Sequence, residues 1–110
     1  METSTAITSL AALAQESRLA VFRLLVQAGP AGLAANKIAE ALAIPASSLS
    51  FHLKELAHAN LVASAKAGRS IIYSANYAAM NGLLAFLTEN CCGGQPCAPS
   101  VVCDTGCADA

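Results

Sequence analysis

Cysteine is absent from the first ninety residues of this 110-residue chain. Cysteines that stabilise a core would be spread through its buried segments, so their absence there excludes a thiol-stapled domain. All five cysteines fall within the last twenty residues, at Cys91, Cys92, Cys97, Cys103 and Cys107. Glycine and proline lie between them. This pattern predicts a folded domain over residues 1–90 and a flexible, thiol-rich C-terminal tail over residues 91–110.

Long apolar runs and targeting signals are also lacking. No stretch reaches the roughly 18 strongly apolar residues of a membrane-spanning helix. The N-terminus has neither the basic region nor the apolar core of a signal peptide. We therefore expect no membrane partner and a reducing, cytoplasmic location, where thiols stay available to metals. The sequence also offers no nucleophile–base pair, phosphate-binding loop or paired carboxylates in a pocket-forming context, so we do not expect an enzyme.

Charge is scarce and unevenly placed. The net charge is −1, but all six basic residues fall between positions 18 and 69, where only two acids occur, giving that segment a net charge of +4. Such asymmetry is compatible with a local phosphate-binding face. An ordinary solvated surface accounts for the charge equally well, so charge alone does not decide between them.

The spacing of apolar residues predicts five helices and two strands in the order α-α-α-α-β-β-α. Gly29-Pro30 is a strong helix stop, Ile44-Pro45 predicts an extended turn, and Asn60 tolerates the left-handed conformation that ends helices. The first, third and fifth helices are expected at about 5–14, 35–42 and 77–89. The second is expected to run from a cap at Ser17 to residue 28, and the fourth from a cap at Ser47 or Ser48 to residue 58. The two strands are expected at 61–65 and 70–75.

Two short helices joined by a tight turn and followed by a hairpin with a basic tip are typical of a winged helix-turn-helix. The predicted fold class is therefore mainly α with a small β-hairpin. On the second helix of the pair, Leu49, Leu53 and Leu56 share the inward face. The residues expected to contact DNA are exposed hydroxyl, aromatic and basic side chains: Ser47, Ser48, Ser50, Phe51 and Lys54 on this helix, Lys66 and Arg69 on the hairpin, and Lys37 on the preceding helix.

Aromatic side chains on the second helix have alternative interpretations. Phe51 is predicted to face outward, where a thymine methyl group could cover it; packing against a neighbouring side chain is the alternative. His52 lies about 60° from the inward stripe, at roughly 100° per residue, so we expect a structural, hydrogen-bonded histidine. His58 is expected to be an ordinary surface residue.

The motifs resemble those of a known family. The run from Ser47 to Leu56, then Asn60-Leu61-Val62 and the hairpin from Gly68 to Tyr73, are similar to the ArsR/SmtB family of metal-responsive winged-helix repressors. The similarity spans roughly residues 8–90, although Asn60 stands where the family usually has glycine. It implies a homodimer formed by the first and last helices, and double-stranded operator DNA with two related half-sites. The implied interface residues are Ile7, Leu10, Leu13, Tyr77, Met80, Leu84 and Leu87.

Two inducer sites common in that family are missing here. The third helix has no cysteine for an arsenic site, and the last helix has no histidine or aspartate for a zinc site. The tail pattern Cys-Cys-Gly-Gly-x-x-Cys resembles that of arsenite-responsive members. This resemblance implies trivalent arsenic or antimony as inducer, held by Cys91, Cys92 and Cys97.

Alternatives remain for the tail. Cys103 or Cys107 could serve as ligands instead of Cys97, or bind a second ion. A divalent soft metal such as cadmium, lead or zinc is the competing inducer. A thiol-rich metal carrier or redox switch is the competing class of protein. The sequence favours a repressor that leaves its operator when trivalent arsenic binds.

Overall fold

The computed structural model describes residues 1–94. Cys97, Cys103 and Cys107 lie outside the described residues. The elements, in chain order, are α1 (Thr3–Leu13), α2 (Glu16–Ala28), β1 (Leu33–Ala34), α3 (Ala35–Leu42), α4 (Ala46–His58), β2 (Val62–Ala67), β3 (Ser70–Ala75), α5 (Tyr77–Leu87) and a 3-10 turn, η1 (Cys91–Gly94).

Helix α2 forms the centre of the core. Val21, Phe22 and Leu25 recur at helical spacing and are buried, because this stripe faces α3, α4 and the sheet. The helix does not begin with a Ser17 cap. Instead the Gln15 side chain accepts a hydrogen bond from the backbone N–H of Arg18 at 2.8 Å. The side chain of Gln15, two residues before Ser17, therefore bonds a backbone N–H of the first helical turn. The predicted helix start at Ser17 is wrong. The predicted end is confirmed, with Gly29 at φ 89°.

Helices α3 and α4 form the helix-turn-helix. Helix α3 ends at Leu42 and is followed by Ala43, a left-handed capping residue (φ 53°). The N–H of the next residue, Ile44, donates to the Ala39 carbonyl at 3.1 Å. Helix α4 begins at Ala46 with Pro45 in the cap position and no side-chain cap. The prediction that a serine caps this helix is therefore wrong. Proline presets the φ angle that a helix start requires, so the following serines fall inside the first turn.

The end of α4 is closed by backbone hydrogen bonds. Asn60 has φ 64°, as its predicted role requires. Its N–H donates to the Ala57 carbonyl at 2.9 Å, and the N–H of Leu61 donates to the Leu56 carbonyl at 3.0 Å. This pair of bonds is the Schellman arrangement, which satisfies two carbonyls of the last helical turn. Asparagine therefore supplies the left-handed geometry for which glycine is the usual residue.

Three antiparallel strands form one sheet in the order β1-β3-β2. The hairpin pairs Val62 with Ala75 and Ala67 with Ser70, which leaves a two-residue loop beginning at Gly68 with φ 65°. The short strand β1 pairs with β3 and was not predicted, because two residues carry no periodicity of their own. Gly32 precedes it with φ 74°, and a Cβ there would overlap the backbone carbonyl of Tyr73.

Helix α5 crosses back over α1 and α2. It ends at Leu87, two residues before the predicted end. Its only buried side chain among the described residues is Leu83. The Tyr77 hydroxyl donates to the Val26 carbonyl at 2.9 Å, which fixes the start of α5 to the end of α2. No helix within residues 1–94 is long and apolar enough to cross a membrane. The predicted winged-helix fold is confirmed, with one additional strand.

Candidate nucleic-acid interface and thiol site

One face of α4 is open to solvent. Leu49, Leu53 and Leu56 are buried against the core, as predicted, and the opposite side of the helix is therefore exposed. The predicted DNA contacts on α4 are all exposed: Ser47, Ser48, Ser50, Phe51 and Lys54. This side of α4 presents hydroxyl groups, an ammonium group and an aromatic ring, which suit phosphate oxygens, base edges and a thymine methyl.

Phe51 and His52 form an aromatic pair on this helix. Their ring centroids are 5.9 Å apart with an interplanar angle of 63°, an edge-on contact. Phe51 nevertheless remains 55% exposed. The Nδ1 atom of His52 is buried and has no hydrogen-bond partner within residues 1–94. The prediction of a hydrogen-bonded His52 is therefore wrong, because the ring packs edge-on against Phe51 and no polar group of the described chain reaches Nδ1. His58 is exposed, as predicted.

Basic side chains of the hairpin and of α3 are also exposed. Lys66 and Arg69 flank the hairpin loop, and Lys37 lies in the first turn of α3. A shallow cleft of about 280 Å³ places Arg69 beside Asn36, at the start of α3. The hairpin and the start of α3 therefore border one cleft, and Lys37 follows Asn36 in the chain. None of these cations pairs with a carboxylate within the described chain, so their charge is available to phosphates.

A second exposed region is apolar. Helices α1 and α5 contact each other, and both direct large apolar side chains outward. Ile7 is 61% exposed, Leu84 53% and Leu87 55%. Leu10 is also exposed, whereas Leu13, Tyr77 and Met80 are half-buried and pack against the core. We call these seven predicted interface residues the α1/α5 surface. Several large apolar side chains exposed on two contacting helices are typical of a protein–protein interaction site.

Two cysteines lie shortly after α5, separated from its last residue by positions 88–90. Cys91 and Cys92 belong to η1, are exposed, and have their Sγ atoms 3.7 Å apart. Cys92 is disulfide-bonded in this structure, so it offers a thiolate only after reduction. We call the two residues, in their reduced state, the thiol pair. Asn90 and Cys92 both have left-handed φ angles (55° and 57°), which turn the chain sharply after the helix. Two thiolates bound to one tetrahedral zinc, each at about 2.3 Å, would be roughly 3.8 Å apart. The observed separation therefore suits two sulfurs that share one soft ion.

A complete metal site is not formed by the thiol pair alone. Within residues 1–94, no group of three or more histidine, cysteine, aspartate or glutamate side chains is placed to hold a metal. The predicted third ligand, Cys97, and its alternatives, Cys103 and Cys107, lie outside the described residues.

Asn76 was not predicted to be a functional residue. It caps α5, where its side-chain oxygen accepts from the Ala79 N–H at 3.1 Å. Its side-chain amide donates to the Asn60 carbonyl at 3.0 Å, and its backbone N–H donates to the Leu61 carbonyl at 2.9 Å. Asn76, which precedes α5, is thus bonded to the two residues that follow Ala59 at the end of α4, Asn60 and Leu61. The sequence signal was available, because asparagine is a preferred N-cap residue.

The fold, together with the exposed basic side chains of α3, α4 and the hairpin, is that of a winged helix-turn-helix DNA-binding protein. Residues 13–65 match a family model described as a helix-turn-helix domain. Comparison with curated protein sequences gives no significant match. Among solved structures, an ArsR-like transcriptional regulator from Rhodococcus sp. RHA1 is 31% identical over 76% of this chain and 76% of its own, with a TM-score of 0.68. HlyU from Vibrio cholerae is 29% identical over 79% of this chain and 97% of its own (TM-score 0.63).

A third similar structure is a homodimeric winged helix-turn-helix DNA-binding domain from Mycobacterium bovis. It is 21% identical, covers 87% of this chain and 89% of its own, and has a TM-score of 0.63, so it bears on the fold alone. The similarity to the Rhodococcus regulator extends to the sequence. The chain belongs to the ArsR family of transcriptional regulators.

Proposed function

We propose that this chain is a homodimeric repressor that leaves its operator when trivalent arsenic or antimony binds the C-terminal thiolates. The observation that carries the proposal is the placement of the Cys91 and Cys92 sulfurs, 3.7 Å apart and separated from α5 by three residues. Reduction of the disulfide at Cys92 makes both sulfurs available as thiolates. Cys97 is the proposed third ligand. Cys103 and Cys107 are the alternatives.

DNA binding is assigned to α4 and the hairpin. The exposed side of α4 enters the major groove, and Lys66 and Arg69 contact phosphates beside it. Two such heads in a symmetric dimer read half-sites about 34 Å apart, one turn of the double helix. Family membership supports this assignment, as does the exposure of Lys54 and Phe51.

Dimerisation is assigned to the α1/α5 surface. Apolar side chains as exposed as Ile7, Leu84 and Leu87 are stabilised by burial, and a second copy offers the same apolar surface in return. The homodimeric state given for the Mycobacterium bovis domain supports the assignment.

Soft, thiophilic ions are the chemically matched inducers, because thiolate sulfur is a soft ligand. Trivalent arsenic takes three sulfurs in a pyramid, which adjacent cysteines can share. Cadmium, lead or zinc is the second candidate, because a separation of 3.7 Å also suits two corners of a tetrahedral site. The experiment below therefore includes these metals.

Coupling between the thiols and DNA is proposed to pass along α5. Three residues separate the C-terminal end of the helix from the thiol pair, and the N-cap residue of the helix, Asn76, is bonded to Asn60 and Leu61, just after α4. A displacement of α5 at the thiol end therefore changes the position of the DNA-reading helix in the dimer. Allosteric coupling of this kind typically amounts to about 1–3 kcal/mol, or roughly 5- to 150-fold in affinity.

Fluorescence anisotropy of an operator-length duplex tests the proposal. The full-length protein is titrated onto DNA with its thiols reduced, and arsenite, antimonite, cadmium, lead and zinc are then added in separate experiments. Release by arsenite and antimonite is the expected result. Release by zinc or cadmium alone would assign the divalent alternative. An absence of DNA binding at every salt concentration would overturn the repressor assignment and favour the metal carrier or redox switch.

Substitutions separate the two functions. Cys91→Ser and Cys92→Ser should keep DNA affinity and lose arsenite release. A response lost in Cys103→Ser but kept in Cys97→Ser would contradict the assignment of the third ligand.

Charge variants test the DNA-binding face. Lys54→Ala and Arg69→Ala should each weaken binding to all sequences and reduce the salt dependence by about one unit of slope, since each removes a phosphate contact. Arg23→Ala is the matched control, because Arg23 is an exposed cation on α2, outside the proposed DNA face. An equal effect of all three variants would refute the assignment.

A further inference from the structure

We propose that a cavity between α2 and α5 binds a small amphipathic anion, with an aliphatic chain inside the cavity and a carboxylate group at Arg23. The cavity has a volume of about 280 Å³. It is independent of the thiol pair and of the proposed response to arsenic. Its apolar lining includes Leu13, Phe22, Val26, Leu61, Met80 and Leu83.

The lining is suited to hydrocarbon. Phe22, Leu61 and Leu83 are buried, and they form walls contributed by three different parts of the fold. A chain entering the cavity would exchange water contacts for contacts with side chains that are already held in the core. Cavities lined by aliphatic and aromatic groups take up apolar ligands, because they contain no polar partners to hold water.

The rim of the cavity carries one charge. Arg23 and Gln27, one turn apart on α2, are exposed members of the lining, and the lining contains no carboxylate. Arg23 has no ion-pair partner within the described residues. A ligand with an apolar chain and an anionic head would therefore match both the walls and the rim, and the guanidinium group suits a carboxylate in particular.

Volume limits the ligand. Small-molecule pockets commonly span roughly 300–1,000 Å³, and the cavity, at about 280 Å³, lies just below that range. The ligand class is therefore a short- to medium-chain aliphatic carboxylate, rather than a large ring system. Each methylene that enters the cavity should raise the affinity about fourfold, until the cavity is full.

A ligand in this cavity would affect the dimer interface. Leu13, Met80 and Leu84 line the cavity and also belong to the α1/α5 surface. A ligand packed against them would alter the side chains that meet the partner subunit. The cavity thus provides a second place at which a ligand could change the geometry of the two DNA-reading heads.

Isothermal titration calorimetry of the full-length protein, with reduced thiols and no metalloid, tests this proposal. Hexanoate, octanoate and decanoate should bind with affinities that rise about fourfold per methylene. Octanoate should bind more tightly than octanol by about two- to fivefold, the typical contribution of an exposed ion pair. Octylammonium should bind no more tightly than octanol.

Variants test the location. Arg23→Gln should lower the octanoate affinity to that of octanol, and Arg23→Lys should keep the preference for the anion. Val26→Phe should block the cavity, whereas Ala28→Phe, on the same helix but outside the lining, should leave binding unchanged. Circular dichroism verifies the fold of each variant. Absence of octanoate binding by the wild type, or equal binding by wild type and Val26→Phe, would overturn the proposal.

Discussion

Substitutions of Asn76 should distinguish two contributions of this residue, the capping of α5 and the hydrogen bond that connects α5 to the segment after α4. Asn76→Ala removes two side-chain hydrogen bonds, one to the Ala79 N–H and one to the Asn60 carbonyl. Loss of an N-cap costs about 1 kcal/mol. The second bond is exposed and contributes about 0.5–1 kcal/mol. We therefore expect the free energy of unfolding to fall by about 1.5–2 kcal/mol.

Serine at this position distinguishes the two bonds. Asn76→Ser keeps an oxygen that can cap α5, but it cannot reach the Asn60 carbonyl as the amide does. Its free energy of unfolding should therefore fall by only about 0.5–1 kcal/mol. If α5 transmits the inducer signal through this contact, both variants should show a smaller loss of operator affinity on arsenite addition than the wild type.

Urea unfolding at one fixed protein concentration measures the stability, because the stability of a dimer depends on concentration. Operator affinity with and without arsenite measures the coupling. Asn81→Ala is the matched control, an exposed asparagine within α5. A urea midpoint of Asn76→Ala equal to that of Asn81→Ala would refute the energetic argument. Undiminished arsenite release in Asn76→Ser would show that the signal takes another path.

Further predictions concern backbone and packing, each measured by urea unfolding. Ala43→Gly should stabilise the fold by about 1 kcal/mol, because alanine holds a left-handed φ of 53° there; no gain would contradict this. Gly32→Ala should destabilise by more than Gly29→Ala, since both have positive φ but only Gly32 faces a carbonyl oxygen; equal losses would refute the steric argument. Phe51→Ala should change stability by less than about 0.5 kcal/mol yet weaken operator binding, whereas Leu53→Ala should cost about 2–5 kcal/mol.

Helix positions followed from the sequence better than helix ends did. The 3.6-residue period of Leu49, Leu53 and Leu56 gave both the helix and its buried side, because burial of that stripe is what stabilises the helix. The ends depend on individual hydrogen bonds. At α2 the cap is Gln15, which is not among the strongly preferred N-cap residues. A left-handed Ala43 has no sequence signal at all, since alanine disfavours that conformation.

Contacts between distant segments could not be predicted. Strand β1 exists because Leu33 and Ala34 pair with β3, nearly forty residues later in the chain. The bond from Asn76 to Asn60 likewise joins two loops whose approach is decided by the packing of α4, α5 and the sheet. The exposure of the residues predicted to contact DNA on α4 followed from the helical period. The separation of the two cysteine sulfurs depends on left-handed backbone angles that the sequence does not specify.

The position of α5 explains why thiols at its end would be an effective switch. Within the described chain Leu83 is its only buried side chain, so its own protomer holds the helix weakly along its length. Its firm attachments, through Asn76 and Tyr77, are at the opposite end from the thiol pair. Eleven residues form a rigid rod roughly 16 Å long. Under the proposed function, a pull from Cys91 on the C-terminal end of α5 would meet little resistance from the core and would be carried to the α4 junction. A sensor placed on α4 itself would instead have to disturb the buried leucine stripe, at a much greater cost in stability.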